Sequence, residues 1–468
     1  MIPTEFADYT RRLMGNELYS ILEQGLEEKP PVSVRLNPFK TDGRLECGEQ
    51  VPWCKLGYWL QDHMAFTFDP MLHAGLYYVQ EASSMFIIEA ISQCVKRGIL
   101  PNRPLTAIDL CAAPGGKSTA LRSILPKGSL LFCNEPIKTR ASVLKENMMK
   151  FGHPDIIVTN NFPHDYQKAG IEFDLVVADV PCSGEGMFRK DEGAVNEWSM
   201  QNVDKCWQLQ RAIIKDIWPC LKPGGTLIYS TCTYNAHENE ENVKWIADAL
   251  GATPLRIDTY EKWHIIGPLL GDVPCCRFIP GRTRGEGLFM AALKKEGEEN
   301  VEKAKTLNNV KKKANKKSNE FDNWLIGDFD LKEYKEAVRA IPATWSDVYD
   351  KASKRLHVIH AGVELGIRKG KGIVPATSLA LSIALNRATF PQSELGLADA
   401  ISYLRKEAVT LRPDAPRGFT IVTYRHQPLG FVKNIGQRAN NLYPQEWKIK
   451  SSHIPGSVSS LPCHPIEQ

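Results

Sequence analysis

With 468 residues the chain is longer than one hydrophobic core usually organises, so two or three domains are expected. Its composition, 43% hydrophobic and 24% charged, is that of a globular protein, and no apolar run approaches the roughly eighteen residues that cross a bilayer, which excludes a helical membrane protein. The formal charge of +4 hides an asymmetry: residues 311–468 carry 24 Lys and Arg against 15 Asp and Glu, and residues 1–310 carry 34 against 39. The basic excess therefore sits in the C-terminal third and favours a polyanionic partner there.

Residues 1–100 read as a small N-terminal domain. Phe6, Tyr9, Met14, Leu18, Ile21 and Leu22 have helical spacing up to the Pro30-Pro31 break, Ser33–Asn37 reads as a strand, and Tyr78–Val95 returns to helical periodicity. The acidic and aromatic start lacks the basic-then-apolar order of a signal peptide. The twelve cysteines show neither a Cys-x-x-Cys pair nor metal-ligand spacing. They fit reduced thiols in a cytoplasm, with no disulfide framework and no zinc site.

Residues 101–293 alternate short apolar runs with helical segments. The runs are Leu105–Leu110, Ser129–Asn134, Asp155–Thr159, Phe173–Val180 and Thr226–Thr231, with Leu288–Leu293 as a further strand. This pattern predicts a parallel α/β sheet covered on both faces, whose ligands bind at the carboxyl ends of the strands. Residues 294–320 hold nine lysines and almost no large apolar side chain, and read as a linker; RNA contact by Lys311, Lys312, Lys313, Lys316 and Lys317 is the alternative. From Phe321 to the end, helical spacing is followed by β-type runs over His357–Ile373 and Gly418–Lys433, which predicts a mixed α and small β-barrel module.

Asp109 to Ser118, with Cys111, Ala112, Ala113, Pro114, Gly115, Gly116 and Lys117 between the first strand and a helix, forms a loop whose amides can approach a ligand. It matches neither the Gly-x-Gly-x-x-Gly fingerprint nor a Walker loop, since Cys111 stands where the latter needs glycine. A glycine-rich turn without a ligand is the bland alternative. Glu135, at the end of the second strand, can accept both hydroxyls of a ribose. Together the two features suggest an adenosyl cofactor.

Asp179-Val180-Pro181-Cys182 and Ser230-Thr231-Cys232-Thr233 end two further strands over the same cleft. A free cysteine is usually a small buried hydrophobe. Two at neighbouring strand ends suit carbon methylation of a pyrimidine, because cytosine C5 is a poor nucleophile until a thiolate adds at C6. The charge this pushes toward N3 and O2 could be met by a protonated Asp179; an ionised Asp179 holding the cofactor amine or a loop amide is the rival. A second thiol could assist the break of the C6–S bond.

These blocks, with Arg35-Leu36-Asn37, Gln80 to Ser84, the acidic run Glu238–Glu241 and Arg277 to Phe289, make residues 30–293 resemble the Fmu/Sun-type RNA cytosine-5 methyltransferases. The likeness is narrowest to their RsmF-type ribosomal RNA members. Thr423–Pro444 is similar to the PUA-like tail of that type. The resemblance implies a Rossmann-like class I methyltransferase sheet (101–293) flanked by an α+β N-terminal domain that positions RNA and a PUA-like, β-containing RNA-binding domain (321–468). It makes Cys232 the thiol that attacks C6 and Cys182 the one that aids product release. It sets S-adenosylmethionine against Cys111–Lys117, Glu135 and Asp179, with Asn161 where the family usually has an acidic residue near the adenine. A monomer without metal, acting on a cytosine of small-subunit (16S) ribosomal RNA, is expected. Transfer RNA, or a non-catalytic ribosome-assembly role, stays open; intact Asp179, Cys182 and Cys232 argue against the latter. Glu241-Asn242-Val243 mimics an element of DNA cytosine-5 methyltransferases but follows the wrong strand.

Overall fold

The computed structural model describes residues 2–61, 64–297, 321, 323–370, 372–451 and 460–466. The five lysines singled out between 311 and 317 lie outside them.

The N-terminal helix, Thr4–Glu27, bends at Gly15 (φ 76°), and its Phe6 is fully buried. A four-stranded antiparallel sheet follows, in the spatial order Gly48–Gln50, Gly57–Leu60, Val32–Leu36, Tyr77–Val79. The periodic stretch from Tyr78 is thus not helical throughout. Tyr77-Tyr78-Val79, aromatic and β-branched, pairs with Val34–Leu36, and the helix proper runs only over Ile87–Lys96. That helix buries Ile87, Ala90, Ile91 and Cys94 in a core that the central sheet shares with Trp53 and Trp59 of the N-terminal domain.

The central sheet is built from β1 (Thr106–Asp109), β2 (Leu130–Asn134), β3 (Ile156–Thr159), β4 (Phe173–Asp179), β5 (Leu221–Thr231), β6 (Ala252–Leu255), β7 (Cys276–Phe278), β8 (Leu288–Lys295) and β9 (Val358–Ala361). Their order is β6-β8-β5-β4-β1-β2-β3-β9, with β7 also on β8. β5, β4, β1, β2 and β3 are mutually parallel, and the outer strands pair antiparallel. The parallel strands are buried on both faces, which is why they read as unbroken apolar runs. Strand order reverses between β1 and β4, and a crevice opens there at the carboxyl ends.

After Phe321 the structure departs from the expected helical start. Leu331, Tyr334, Val338 and Ile341 have helical spacing, yet Phe329–Tyr334 and Ala337–Pro342 form a hairpin turning at Lys335 (φ 55°), and the first α-helix comes after them, at Ser346–Ser353. Pairing with Val363–Lys369, and of that strand with Gly372–Pro375, makes a four-stranded sheet that outweighs the local periodicity. A second small sheet comprises Gln392–Glu394, Gly418–Tyr424, Gln427–Asn434 and Ala439–Asn441.

These C-terminal parts are fused to the rest. β9 extends the central sheet at β3. Val34, Leu36 and Tyr77 of the N-terminal sheet share one core with Tyr403, Val432, Tyr443 and Leu461. Cys463–Pro465 pairs with Thr41–Leu45. Among the described residues no helix is long and apolar enough to cross a membrane, and no cluster of His, Cys, Asp or Glu could hold a metal ion.

Candidate active site

β1 delivers Asp109 to the crevice, fully buried. Its Oδ2 accepts from Ser118 Oγ (2.6 Å), its Oδ1 has no hydrogen-bond partner, and burial raises its pKa to about 7. The loop beyond it turns through a cis Ala113-Pro114 bond and Gly115, whose φ of 117° is one that L side chains rarely adopt, into the helix Gly116–Ile124. Cys111, Ala112, Ala113, Pro114, Gly116, Lys117 and Asp179 line one cavity of about 200 Å³, closed on its far side by Tyr78, Gln80 and Glu81 of the N-terminal domain. Burial pushes the Cys111 thiol well above its ordinary range, so it stays neutral.

At the end of β2, Glu135 is buried. Its Oε1 accepts from the Ile137 amide (2.9 Å), while Oε2 has no hydrogen-bond partner and lies 3.6 Å from Arg140 Nη1. A buried carboxylate oxygen without a donor is costly unless a ligand supplies one. Hydroxyl donors such as those of a ribose fit this position. Asn161 is engaged otherwise: its carbonyl oxygen accepts from the His357 amide (2.9 Å) and its Nδ2 points to Asp165 (3.4 Å). It ties β3 to the segment leading into β9. Asp165, which the sequence reading passed over, is the carboxylate beside it.

Asp179, at the end of β4, accepts on both oxygens, from Lys117 Nζ (2.9 Å) and from Ser230 Oγ (2.7 Å). Burial opposes the Lys117 charge, but Asp179 outweighs it and holds the ammonium pKa above its usual value.

Three residues after Asp179 stands Cys182, and Cys232 follows β5. β4 and β5 are adjacent and in parallel register, with Ser230 opposite Asp179, so the two sulfurs meet at 3.0 Å. Both are free thiols, as are the ten other cysteines. Contact with Cys232, and then burial, push the Cys182 thiol well above its ordinary range. Cys182 therefore keeps its proton and can donate it toward Cys232. Gly186 donates its amide to the Cys232 carbonyl (2.6 Å) at a point where an added Cβ would lie 2.5 Å from that same oxygen.

The N-terminal helix buttresses both thiol loops. Phe6 packs edge-on against Phe188 and Trp198, beyond Cys182, and Ala236, beyond Cys232, donates its amide to Tyr9 Oη (3.3 Å). The sequence reading also missed the depth of the Glu238–Glu241 run. Glu238 and Asn239 lie beneath the thiols, and Glu240 forms a buried ion pair with Arg277. Only the run's acidity hinted at this.

A Rossmann-like sheet with a non-dinucleotide glycine loop at its switch point and paired thiols beside it defines a methyltransferase of class I architecture. The family model described as 16S rRNA methyltransferase RsmB/F matches residues 99–294, that of the N-terminal domain of 16S rRNA methyltransferase RsmF matches 2–82, and that of the methyltransferase RsmF PUA domain matches 390–449. In all three of its parts the chain is thus similar to the RsmB/F methyltransferases, on their RsmF side. It is 28% identical over 430 residues to the ribosomal RNA small subunit methyltransferase F of Aeromonas hydrophila, covering 85% of each chain. With the protein of that name from Escherichia coli K12 it is 28% identical over 419 residues, covering 85% of this chain and 84% of the other. Among solved structures, a methyltransferase homolog protein from Pyrococcus horikoshii superposes with a TM-score of 0.53 at 24% identity over 63% of this chain and 95% of that one. NSun6 from the same organism, solved with SFG, gives 0.52 at 18% over 63% and 99%. These two share the fold.

Proposed function

We propose that this protein methylates C5 of a cytosine in small-subunit ribosomal RNA, through a covalent bond between Cys232 and C6 of the base. The observation that carries the reading is the pair of thiols 3.0 Å apart at adjacent strand ends, beside the cofactor loop. The names of the relatives supply the RNA.

S-adenosylmethionine supplies the methyl group from its sulfonium. Cys111–Lys117 and Glu135 would hold it, and Glu135 Oε2, which lacks a hydrogen-bond donor, fits its ribose. The Cys232 sulfur adds to C6, and a thiolate is a strong enough nucleophile for this. The electron pair displaced toward N3 and O2 takes a proton that Asp179 relays from the Lys117 ammonium beside it, and N3 returns that proton to the pair as C5 is methylated. C5 becomes enamine-like and takes the methyl group. The C5 proton then leaves to solvent, its bonding electrons restore the C5–C6 double bond, and the C6–S pair returns to Cys232. Cys182 donates to that departing sulfur and eases its release. Asn161, committed to His357, contributes by fixing the β3 end, and the basic C-terminal module adds phosphate contacts.

Bisulfite sequencing of total RNA from cells with and without the protein tests this. The expected result is loss of one methylated cytosine in small-subunit ribosomal RNA. Loss confined to a transfer RNA, or no change, overturns the assignment.

A further inference from the structure

Beneath the two thiols, Glu238 and Asn239 run from one strand end to the other. Asn239 Nδ2 donates to the Thr233 carbonyl (2.9 Å) and its Oδ1 accepts from Thr231 Oγ1 (2.6 Å), so one side chain grips both neighbours of Cys232. Glu238 accepts from the Ser183 amide (3.1 Å) and from Gln210 Nε2 (2.6 Å); that same Gln210 nitrogen donates to the Pro181 carbonyl (2.9 Å). The two neighbours of Cys182 are therefore gripped as well. A hydroxyl contact, Ser183 Oγ to Thr233 Oγ1 (3.0 Å), links the loops above.

Two features say that this arrangement is kept at a cost. Asn239 occupies the N-cap of the helix Glu240–Leu250, where its side chain would ordinarily accept from an amide of the first turn, yet it makes no capping bond. Glu238 is a fully buried carboxylate, and burial lifts its pKa to about 7. Stability alone favours neither choice.

We infer that Glu238 and Asn239 are a single positioning unit that sets the two cysteines against each other, Asn239 holding Cys232 for attack and Glu238 holding Cys182 for release. This rests on the proposed roles of the two thiols. Each acts through the residues on either side of a cysteine, Glu238 with the help of Gln210.

The test is how the full-length variants divide between adduct formation and adduct breakdown, with the RNA substrate and S-adenosylmethionine present. Asn239→Ala is expected to lower covalent adduct and methyl transfer together, by about tenfold to a hundredfold, as misplaced nucleophiles do. Glu238→Gln is expected to leave the first turnover within about twofold, slow steady-state turnover about tenfold and let adduct accumulate, as a misplaced release thiol requires. Should either fail to fold, Thr231→Val removes the Asn239 Oδ1 contact and Gln210→Met the Glu238 one, with the same two expectations. A mere loss of packing would lower thermal stability and leave the adduct fraction per turnover unmoved. That result, with Cys232→Ala forming no adduct and Cys182→Ala trapping it, overturns the inference alone. Reversed behaviour of the two cysteine variants overturns the reading beneath it.

Discussion

On the cofactor side of the crevice, Asp109 and Glu135 each keep one buried carboxylate oxygen without a hydrogen-bond partner. On the thiol side, the Pro181 carbonyl, Ser183 amide, Thr231 hydroxyl and Thr233 carbonyl around the two cysteines are all paired. Unspent buried acceptors are tolerated where a ligand completes them, whereas saturated networks fix geometry in advance. On the function proposed above, a small molecule finishes the first side. The second holds its reacting atoms in place before any base arrives. Changes on the thiol side should therefore cost turnover, and changes on the cofactor side should cost affinity.

The largest break is expected from Gly186→Ala. The new Cβ would meet the Cys232 carbonyl at 2.5 Å, and the displaced thiol should lose about a hundredfold in methyl transfer, with cofactor affinity unchanged in calorimetry. Weakened cofactor binding instead would mean that the two sides are not separable. Glu135→Gln sharpens the contrast from the other direction: S-adenosylmethionine should bind about tenfold more weakly, on the order of 1–2 kcal/mol, with saturated turnover nearly intact. An equal fall in saturated turnover would move Glu135 into the chemistry.

Asp109 gives a pH test. Its folded pKa of about 7 exceeds the unfolded value near 3.8, so the folded state binds the proton more tightly. The stability it contributes is complete below about pH 3.8 and is lost as pH rises through 7, by up to about 1.4 kcal/mol per pH unit. Asp109→Asn, which can still accept from Ser118, should gain stability relative to the parent over that window in parallel melting curves. A pH-independent difference contradicts this.

The smallest effect concerns RNA. Deleting residues 321–468 would strip β9 from the sheet and uncover Val34, Leu36 and Tyr77, so the basic module is better tested by charge alone. Lys433 is exposed on its second sheet, and Arg438 is exposed in the turn before that sheet's last strand. Replacing both with Gln should lower the slope of log affinity against log salt by about 1–2. An unchanged slope removes that face from the RNA contact.

The same contrast decides what could be read from the sequence. β1 to β4 and the Thr226–Thr231 part of β5 are buried on both faces and hence mostly apolar, and glycine loops and strand-end cysteines announce themselves by residue type. Register then follows, because the parallel pairing of β4 and β5 sets Asp179 beside Ser230. What stayed hidden depends on partners far along the chain. Glu238 meets the Ser183 amide 55 residues earlier, Asn161 spends its side chain on His357, and the 329–342 hairpin follows a sheet that its own helical spacing conceals. Local pattern carries the chemistry; it does not carry the hydrogen bonds that aim it.

The central claim, that Cys232 attacks and Cys182 releases, is tested most directly by incubating Cys182→Ala with substrate RNA and S-adenosylmethionine, resolving it under denaturing conditions and mapping the RNA-linked peptide. The account predicts a stable adduct on Cys232 that is absent from Cys232→Ala. An adduct in Cys232→Ala, or none in Cys182→Ala, contradicts it.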